Sequence, residues 1–338
     1  MSKIKEDVII LGGGPAGLLT SYYLKSFGVD ALVIEKGKIG QAWREMRDRM
    51  VMLSPAVASH DMTSLSFENP IWNFVKLSGP FATKEEFIEY LDKFVKKNKV
   101  RVSQGNEVTY VTSNPEGFEV GTNNNSTYVA KVVVVATGVA GNACLPDIPG
   151  MKGNKRVVHA RNYKGFEAYR EKKVLIVGAG NSGAELAVEL SGISKVTLVN
   201  KHKLKYFSKT NNLSHIRGLS ESLLKELIKF KIINLKERVE LETIEKGKVS
   251  FSDATIDNFD EIIFATGYCA NLPKFIDMKV KIAKNGYPNL SATCESVSRK
   301  SLYFTGPLAH NSGLCAFIHC FRPIVEPMAL DIADKLGH

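Results

Sequence analysis

One stretch near the start of the chain decides the fold: Val8-Ile9-Ile10-Leu11-Gly12-Gly13-Gly14-Pro15-Ala16-Gly17. Its apolar run is typical of a buried strand, and Gly12, Gly14 and Gly17 have the Gly-x-Gly-x-x-Gly spacing of a turn from strand to helix. The first glycine permits the sharp turn, the second lets backbone amides approach a pyrophosphate, and the third lets the helix pack closely. Because Glu35 ends the next apolar run, 23 residues after Gly12, the sequence predicts a dinucleotide-binding βαβ unit.

A second unit of the same kind lies further along the chain. The apolar run 174–177 leads into Gly178-Ala179-Gly180-Asn181-Ser182-Gly183, and a helical stretch and the apolar run 196–199 follow. Each unit is completed downstream by an apolar run that ends in Ala-Thr-Gly, at residues 136–138 and 265–267. The sequence therefore predicts an α/β protein with two nucleotide-binding folds.

The two units differ just after the second strand of each. Glu35 can accept hydrogen bonds from both ribose hydroxyls and its charge repels a 2′-phosphate, so the first site suits FAD or NAD. The matching place in the second unit holds Asn200, Lys201, His202 and Lys203. Because these residues include two lysines and no acid, they can accommodate the 2′-phosphate of NADPH, which we expect here rather than NADH. A solvated basic loop is the alternative.

The composition argues against several other classes of protein. Lys and Arg number 45 against 35 Asp and Glu, but the lysines are scattered and no zinc-finger or RNA-binding signature accompanies them, so we expect no nucleic-acid partner. The chain has no run of about 18 apolar residues, and we expect no stable membrane insertion. Five cysteines without a Cys-x-x-Cys predict neither a disulfide framework nor a metal site, and favour the cytoplasm.

Further motifs, spread over most of the chain, resemble a known superfamily. Besides the two glycine turns and the two Ala-Thr-Gly runs, they are Gly40-Gln41-Ala42-Trp43, Met52-Leu53-Ser54-Pro55, Pro146-Asp147-Ile148-Pro149-Gly150, residues 159–163, and Tyr268 directly after the second Ala-Thr-Gly. With these motifs the chain resembles the flavin-containing monooxygenase superfamily. It looks closest to the small prokaryotic members, which are related to thioredoxin-reductase-like flavoproteins.

The resemblance implies two Rossmann-like domains, one for FAD and one for NAD(P), each with a three-layer ββα architecture. The FAD domain would comprise residues 1–145 and 275–338, and the NAD(P)H domain residues 146–274. The implied activity is that of an FAD-dependent, NAD(P)H-oxidising enzyme that activates oxygen at the flavin and transfers it to a small nitrogen or sulfur nucleophile. Its partners would then be a small-molecule substrate and O2, and a homodimer is the commonest assembly.

The glycine turns and the resemblance together assign the cofactor contacts. For FAD they are Gly12, Gly14, Pro15, Ala16, Gly17, Glu35, Lys36, Gly40, Gln41, Trp43, Ser54, Val108, Thr137, Gly138, Gly306, Pro307 and Leu314. For NADPH they are Gly178, Gly180, Asn181, Ser182, Glu185, Asn200, Lys201, His202, Lys203, Thr266, Gly267 and Tyr268. The resemblance also implies a C-terminal helix that begins near residues 312–314 and directs its amides at N1 and O2 of the flavin.

Catalytic side chains are less defined by the sequence. Ser54, His310 and Cys315 are the candidates, because they lie in segments that the resemblance brings to the flavin. Cys315 and Cys320 are about 500° apart on a helix and share no face, so core packing is the alternative role for both.

Two other functions stay open. One is an NADPH-dependent reductase of a small disulfide, a quinone or another acceptor, and the other is a nucleotide-binding redox sensor. Thioredoxin-reductase-like enzymes carry Cys-x-x-Cys between the first Ala-Thr-Gly run and the second glycine turn, where this chain has only Cys144. Bacillithiol-disulfide reductases carry a cysteine where Ala16 stands, so a reductase of this type would need a different thiol.

Overall fold

The computed structural model describes residues 3–47, 50–139, 141–309 and 317–338. The strands are β1 (Ile4–Leu11), β2 (Leu32–Glu35), β3 (Val51–Val57), β4 (His60–Asp61), β5 (Phe81–Thr83), β6 (Arg101–Gln104), β7 (Val108–Asn114), β8 (Gly117–Thr122), β9 (Thr127–Val135), β10 (Val157–His159), β11 (Lys173–Val177), β12 (Lys195–Asn200), β13 (Ile233–Glu237), β14 (Leu241–Glu245), β15 (Lys248–Phe251), β16 (Ile256–Asn258), β17 (Glu261–Phe264) and β18 (Leu302–Phe304). The helices are α1 (Pro15–Ser26), α2 (Gln41–Arg44), α3 (Lys84–Lys97), α4 (Asn181–Ser191), α5 (Phe207–Thr210), α6 (Leu219–Lys229) and α7 (Arg322–Leu336).

The chain divides into two units by its internal contacts. The first unit comprises Met1–Glu45, Arg49–Asn142 and Cys269–His338, and the second comprises Met46–Asp48 and Ala143–Tyr268. Each unit contains one of the two glycine turns. The assignment of FAD to the first unit and of NAD(P)H to the second stays a prediction.

The first unit is built on a sheet whose central strand is shared between two layers. Strands β6, β2, β1 and β9 pair in parallel in that order, and β18 joins the end of β9. The beginning of β9 pairs instead with the antiparallel strands β8 and β7. Along β1, Val8 and Ile10 pack with the helices, whereas Ile9 and Leu11 pack toward β7 and β8. This alternation produces the three layers expected for a Rossmann-like ββα domain, and confirms the predicted fold class.

Helix α3 illustrates how local sequence sets an element of the helical layer. Thr83 caps the helix by accepting a hydrogen bond from Glu86 N, and the Glu86 side chain accepts from Thr83 N, which forms a capping box. Phe87, Leu91 and Phe94 recur at helical spacing and are fully buried. The cap and this apolar spacing account for the helix over Lys84–Lys97.

The second unit repeats the layered architecture. Strands β10, β17, β11, β12 and β13 form a parallel sheet, and β14, β15 and β16 form an antiparallel one. Side chains from α4 and α6 pack on one face of the parallel sheet, and the antiparallel strands cover the other face. Among the described residues, no helix is long and apolar enough to cross a membrane.

Two cysteines correct an expectation from the sequence. Cys144 and Cys269 are disulfide-bonded, although spacing and number predicted no disulfide framework. Each cysteine is held by a backbone hydrogen bond to a segment distant in sequence, which spacing rules do not detect: Cys269 N donates to the Asn142 carbonyl, and Cys144 N donates to the Gly267 carbonyl, each at 3.0 Å. The cytoplasmic location rested in part on cysteine usage and stays a prediction.

The C-terminal helix also differs from its expected limits. We expected it to begin near residues 312–314, which lie outside the described residues. The described helix α7 begins only at Arg322, after a short 3₁₀ turn at Ile318–Cys320. Pro323 is the second residue of α7, where its missing N–H costs no intrahelical hydrogen bond. Cys320 therefore lies in the turn rather than on a long helix.

Candidate nucleotide-binding sites

The first glycine turn has a backbone that only glycine fits. Gly12 has a φ of +111°, and a β-carbon there would lie 2.7 Å from the Ala136 carbonyl oxygen. A β-carbon on Gly17 would overlap the Gly12 carbonyl oxygen. Gly12 N donates to the Ile34 carbonyl at 2.8 Å, which holds the turn against β2. Strand, turn and helix are thus fixed by close backbone approach, as the motif predicts.

The start of α1 has the properties of an anion-binding site. Gly14 is the N-cap residue, no side chain caps the helix, and no acidic residue lies in its first turn. A β-carbon on Gly14 would meet no atom within 4 Å, so space is open beside the first amides of the helix. These amides and the helix dipole suit the pyrophosphate of a dinucleotide.

Glu35 is buried at the end of β2 and faces the turn. Its Oε2 accepts a hydrogen bond from Gly13 N at 2.7 Å, and its Oε1 accepts one from Gly37 N at 2.8 Å. A carboxylate has further lone pairs on both oxygens, which leaves acceptors for two ribose hydroxyls. The residues present therefore fit a dinucleotide that lacks a 2′-phosphate.

The loop after β2 is tied to the same turn. Gly40 has a φ of +67°, and its N–H donates to the Gly13 carbonyl at 2.9 Å. Gln41 begins α2, and its Oε1 accepts from Lys38 N at 3.1 Å. Trp43 packs edge-on against Phe87, with ring centroids 4.8 Å apart. Lys36 is exposed.

The other predicted FAD contacts and the catalytic candidates lie in several segments of the chain. Gly306 has a φ of +65°, and a β-carbon there would lie 2.9 Å from the Ala16 side chain, so the turn after β18 reaches the glycine turn. Exposed Thr137 and the positive-φ Gly138 follow β9, and Pro307 is half-buried. Val108 at the start of β7 and Ser54 in β3 are both buried. His310, Leu314 and Cys315 lie outside the described residues.

The second glycine turn reproduces the first in backbone geometry. Gly178 has a φ of +98°, and a β-carbon there would lie 2.7 Å from the Ala265 carbonyl oxygen. A β-carbon on Gly183 would overlap the Gly178 carbonyl oxygen, and Gly178 N donates to the Val199 carbonyl at 2.9 Å. Gly180 is the N-cap of α4 and has open space around it. This turn therefore offers a second pyrophosphate site.

The side chain behind the second turn is neutral. Asn200 Oδ1 accepts from Ala179 N at 3.3 Å, in the place that Glu35 takes in the first unit. Its Nδ2 donates to the His202 carbonyl at 2.7 Å, which holds the start of the basic loop. Lys201, His202 and Lys203 are all exposed. Their exposure leaves them accessible to a phosphate.

Asn181 and Ser182 form the first turn of α4. The Asn181 Oδ1 accepts from Arg217 N and its Nδ2 donates to the Leu213 carbonyl, both at 3.2 Å. Asn181 thereby fixes the segment before α6 beside the turn. Ser182 is exposed at the helix N-terminus.

His159 belongs to the second unit's site by position, although sequence reasoning gave it no role of its own. Its ring Nε2 lies 3.1 Å from the Gly267 carbonyl, and Nδ1 accepts from Arg161 N at 3.2 Å. This pattern requires the proton on Nε2, and burial lowers the pKa of His159, so the ring is neutral. Its edge contacts Tyr268 at 5.5 Å between ring centroids. His159 therefore supports the turn formed by Thr266, Gly267 and Tyr268.

A charged cluster along α4 contains one predicted residue and two that sequence reasoning missed. Arg47 bonds the Glu189 carboxylate through Nη1, and its Nη2 lies 3.6 Å from Glu185 Oε2. The i, i+4 spacing of the glutamates was a detectable signal. The arginine lies 142 residues from Glu189, and no spacing rule connects them.

Comparison with known proteins gives consistent results. A family model described as pyridine nucleotide-disulphide oxidoreductase matches residues 9–306. An uncharacterized CzcO-like oxidoreductase of Geobacillus kaustophilus is 30% identical over 329 residues, covering 89% of this chain and 90% of that one. The probable indole-3-pyruvate monooxygenase YUCCA1 of Arabidopsis thaliana is 28% identical over 357 residues, covering 88% and 84%. The structure of the bacillithiol disulfide reductase Bdr from Bacillus cereus aligns with a TM-score of 0.80 at 25% identity, covering 98% and 99%.

Proposed function

The chain belongs to the pyridine nucleotide-disulphide oxidoreductase family, and within that family we propose that it is an FAD-dependent, NADPH-oxidising monooxygenase acting on a small nitrogen or sulfur nucleophile. The family makes it a flavin- and pyridine-nucleotide-dependent oxidoreductase. The pair of glycine turns, one backed by an acid and one by an amide beside lysines, is the observation that carries the cofactor assignment.

We place FAD at the first turn. Glu35 is held by two backbone N–H groups and would accept hydrogen bonds from the ribose of the adenosine half, while its charge disfavours a 2′-phosphate. The amides at the start of α1 would hold the pyrophosphate. Gly40 and Trp43 lie in the loop tied to this turn. FAD supplies the hydride acceptor and the oxygen-activating group, and these residues bind and orient it.

We place NADPH at the second turn. Asn200 adds no negative charge, and Lys201, His202 and Lys203 can pair with a 2′-phosphate.

Replacing Lys201 and Lys203 together by alanine is expected to weaken NADP⁺ binding about tenfold or more while changing NAD⁺ binding less than twofold. Calorimetric titration of the holoprotein measures both constants. The exposed lysine Lys152 is in the same unit, and Lys152→Ala is the control for lost charge. An equal loss of affinity for NADP⁺ and NAD⁺ would contradict the assignment of NADPH to the second turn.

Monooxygenation balances without a catalytic cysteine. NADPH supplies two electrons, one atom of O2 enters the substrate, and the other leaves as water with a proton from solvent. The monooxygenase relative YUCCA1 matches the chain over most of its length. Ala16, where bacillithiol-disulfide reductases have cysteine, is buried and packed against the turn of Gly306, so no thiol stands at that place.

A reductase of a small disulfide or quinone is the second candidate. It is favoured by the structural match to a bacillithiol disulfide reductase over nearly the whole chain.

Turnover with ¹⁸O2 separates the two functions. We expect ¹⁸O in an amine or sulfide product, with one product formed per NADPH oxidised. NADPH oxidation that needs a disulfide or quinone and leaves O2 unused would identify the reductase. Reduction of the flavin with neither outcome would favour a redox sensor.

A further inference from the structure

The charged cluster on α4 is not used by the proposed chemistry. Glu185 and Glu189 are one turn apart on the same face of the helix, and Arg47 lies against both. The three side chains are only 21–27% exposed. The Arg47 guanidinium also lies 5.9 Å from the ring centroid of Tyr163, which is almost fully buried. Arg47 is therefore fixed from two sides, by carboxylates and by an aromatic ring.

The carboxylates of Glu185 and Glu189, which are mostly buried and one turn apart, repel each other when both are ionised. Burial is the main cause that raises the pKa of Glu185 to about 7, and the charge of Glu189 raises it further. Arg47 and, from the segment before α6, Arg217 act in the opposite direction. Without Arg47, the pKa of Glu185 would rise further, and among the described residues Arg217 is the remaining cation that opposes this rise.

The position of these charges on the helix gives them a consequence for binding. Helix α4 starts at Asn181, and its first amides are the proposed site of the nucleotide pyrophosphate. Glu185 lies only about one helical turn from those amides. An ionised, partly buried carboxylate at that distance opposes an incoming anion, because screening by water is incomplete.

We propose that Arg47 is a positioning residue of the nicotinamide-nucleotide site, which neutralises the two glutamates of α4 so that the helix accepts the anionic nucleotide. This inference rests on the proposed binding of NADPH to the second turn. Arg47 acts through Glu185 and Glu189, and it need not touch the nucleotide.

The test is NADP⁺ binding to the holoprotein at pH 8.5. For Arg47→Gln we expect the dissociation constant to rise about tenfold. The double variant Arg47→Gln/Glu189→Gln should recover most of the affinity, because the net charge of the face is restored. Arg47→Lys keeps the charge and should stay within about threefold of the wild type.

A purely structural role predicts different results. Loss of affinity in Arg47→Gln that Glu189→Gln does not rescue would overturn the inference. So would an Arg47→Gln variant that binds NADP⁺ like the wild type, and in that event the proposed function would stand. A wild-type protein that binds no NADP⁺ would overturn both. Arg170→Gln is the matched control, because this exposed arginine of the same unit pairs only at the surface with Glu167.

Discussion

The first and second glycine turns have the same backbone and opposite electrostatics. In each turn, a glycine with positive φ follows the first strand. A β-carbon added to this glycine would lie 2.7 Å from the carbonyl oxygen of the alanine in the Ala-Thr-Gly run. Behind the first turn a buried carboxylate accepts from Gly13 N at 2.7 Å, whereas behind the second an amide oxygen accepts from Ala179 N at 3.3 Å. Both turns therefore have the backbone geometry that suits a pyrophosphate, and the side chain behind each turn is where they differ.

The side chains behind the two turns are held in different ways. The Glu35 carboxylate makes two charge-assisted hydrogen bonds to backbone N–H groups, which fix its position beside the turn. Asn200 Nδ2 donates to the His202 carbonyl and so positions a basic loop. We therefore expect the acid to disfavour a 2′-phosphate and the basic loop to attract one.

The largest expected effect comes from the third glycine of each turn. Alanine at Gly17 or Gly183 places a β-carbon onto a backbone carbonyl, and the backbone cannot give way as a flexible side chain would. We expect each substitution to cost about 3 kcal/mol or more locally. Gly17→Ala should yield protein without flavin absorbance. Gly183→Ala should keep the flavin, but the rate at which NADPH reduces it should fall at least 100-fold.

Gly192→Ala is the control for this pair, since a β-carbon there meets no atom within 4 Å and its φ is ordinary. Flavin loss in Gly183→Ala with retention in Gly17→Ala would reverse the assignment of the two turns. Normal flavin content and reduction in both variants would contradict the account of the turns altogether.

A second prediction concerns pH and applies to the second unit alone. The pKa of Glu185 is about 7 in the folded protein against 4.5 ordinarily, so between these values the folded state holds a proton that the unfolded state has lost. Stability must then fall as pH rises through this window, by about 3 kcal/mol in total. Glu185→Gln should remove that slope in urea unfolding measured from pH 4.5 to 7.5. An unchanged slope would show that Glu185 titrates normally.

The third and smallest effect tests the acid of the first turn. Glu35→Gln keeps the shape of the side chain and loses the charge of its two hydrogen bonds, so FAD should bind about 10- to 100-fold more weakly to the deflavinated protein.

The reciprocal variant Asn200→Asp should lower the affinity for NADP⁺ about tenfold and leave the affinity for NAD⁺ unchanged. Calorimetry measures these constants. The comparison between the turns would fail if Asn200→Asp affected both nucleotides equally.

Sequence patterns predicted the parts of the molecule that depend on local order. The strand, turn and helix of each unit and the position of Glu35 at the end of β2 follow from apolar periodicity and glycine spacing. These features are visible because neighbouring residues determine them.

Features that depend on distant segments were missed. No recognisable spacing predicts the ion pair of Arg47 with Glu189, or that Cys144 and Cys269 each take part in a disulfide. The role of His159 depends on a carbonyl more than 100 residues away. Such pairs are set by how sheets and loops pack, which a single sequence does not display.

We propose that the first turn holds FAD and that the second holds NADPH, which reduces the flavin. Anaerobic titration of the purified protein, followed at the flavin absorbance band, tests it most directly. We predict that the protein carries bound FAD, that a single equivalent of NADPH bleaches it, and that NADH does so only at a concentration about tenfold higher or more. A protein that takes up no flavin, or a bound flavin that neither nucleotide reduces, would contradict the account.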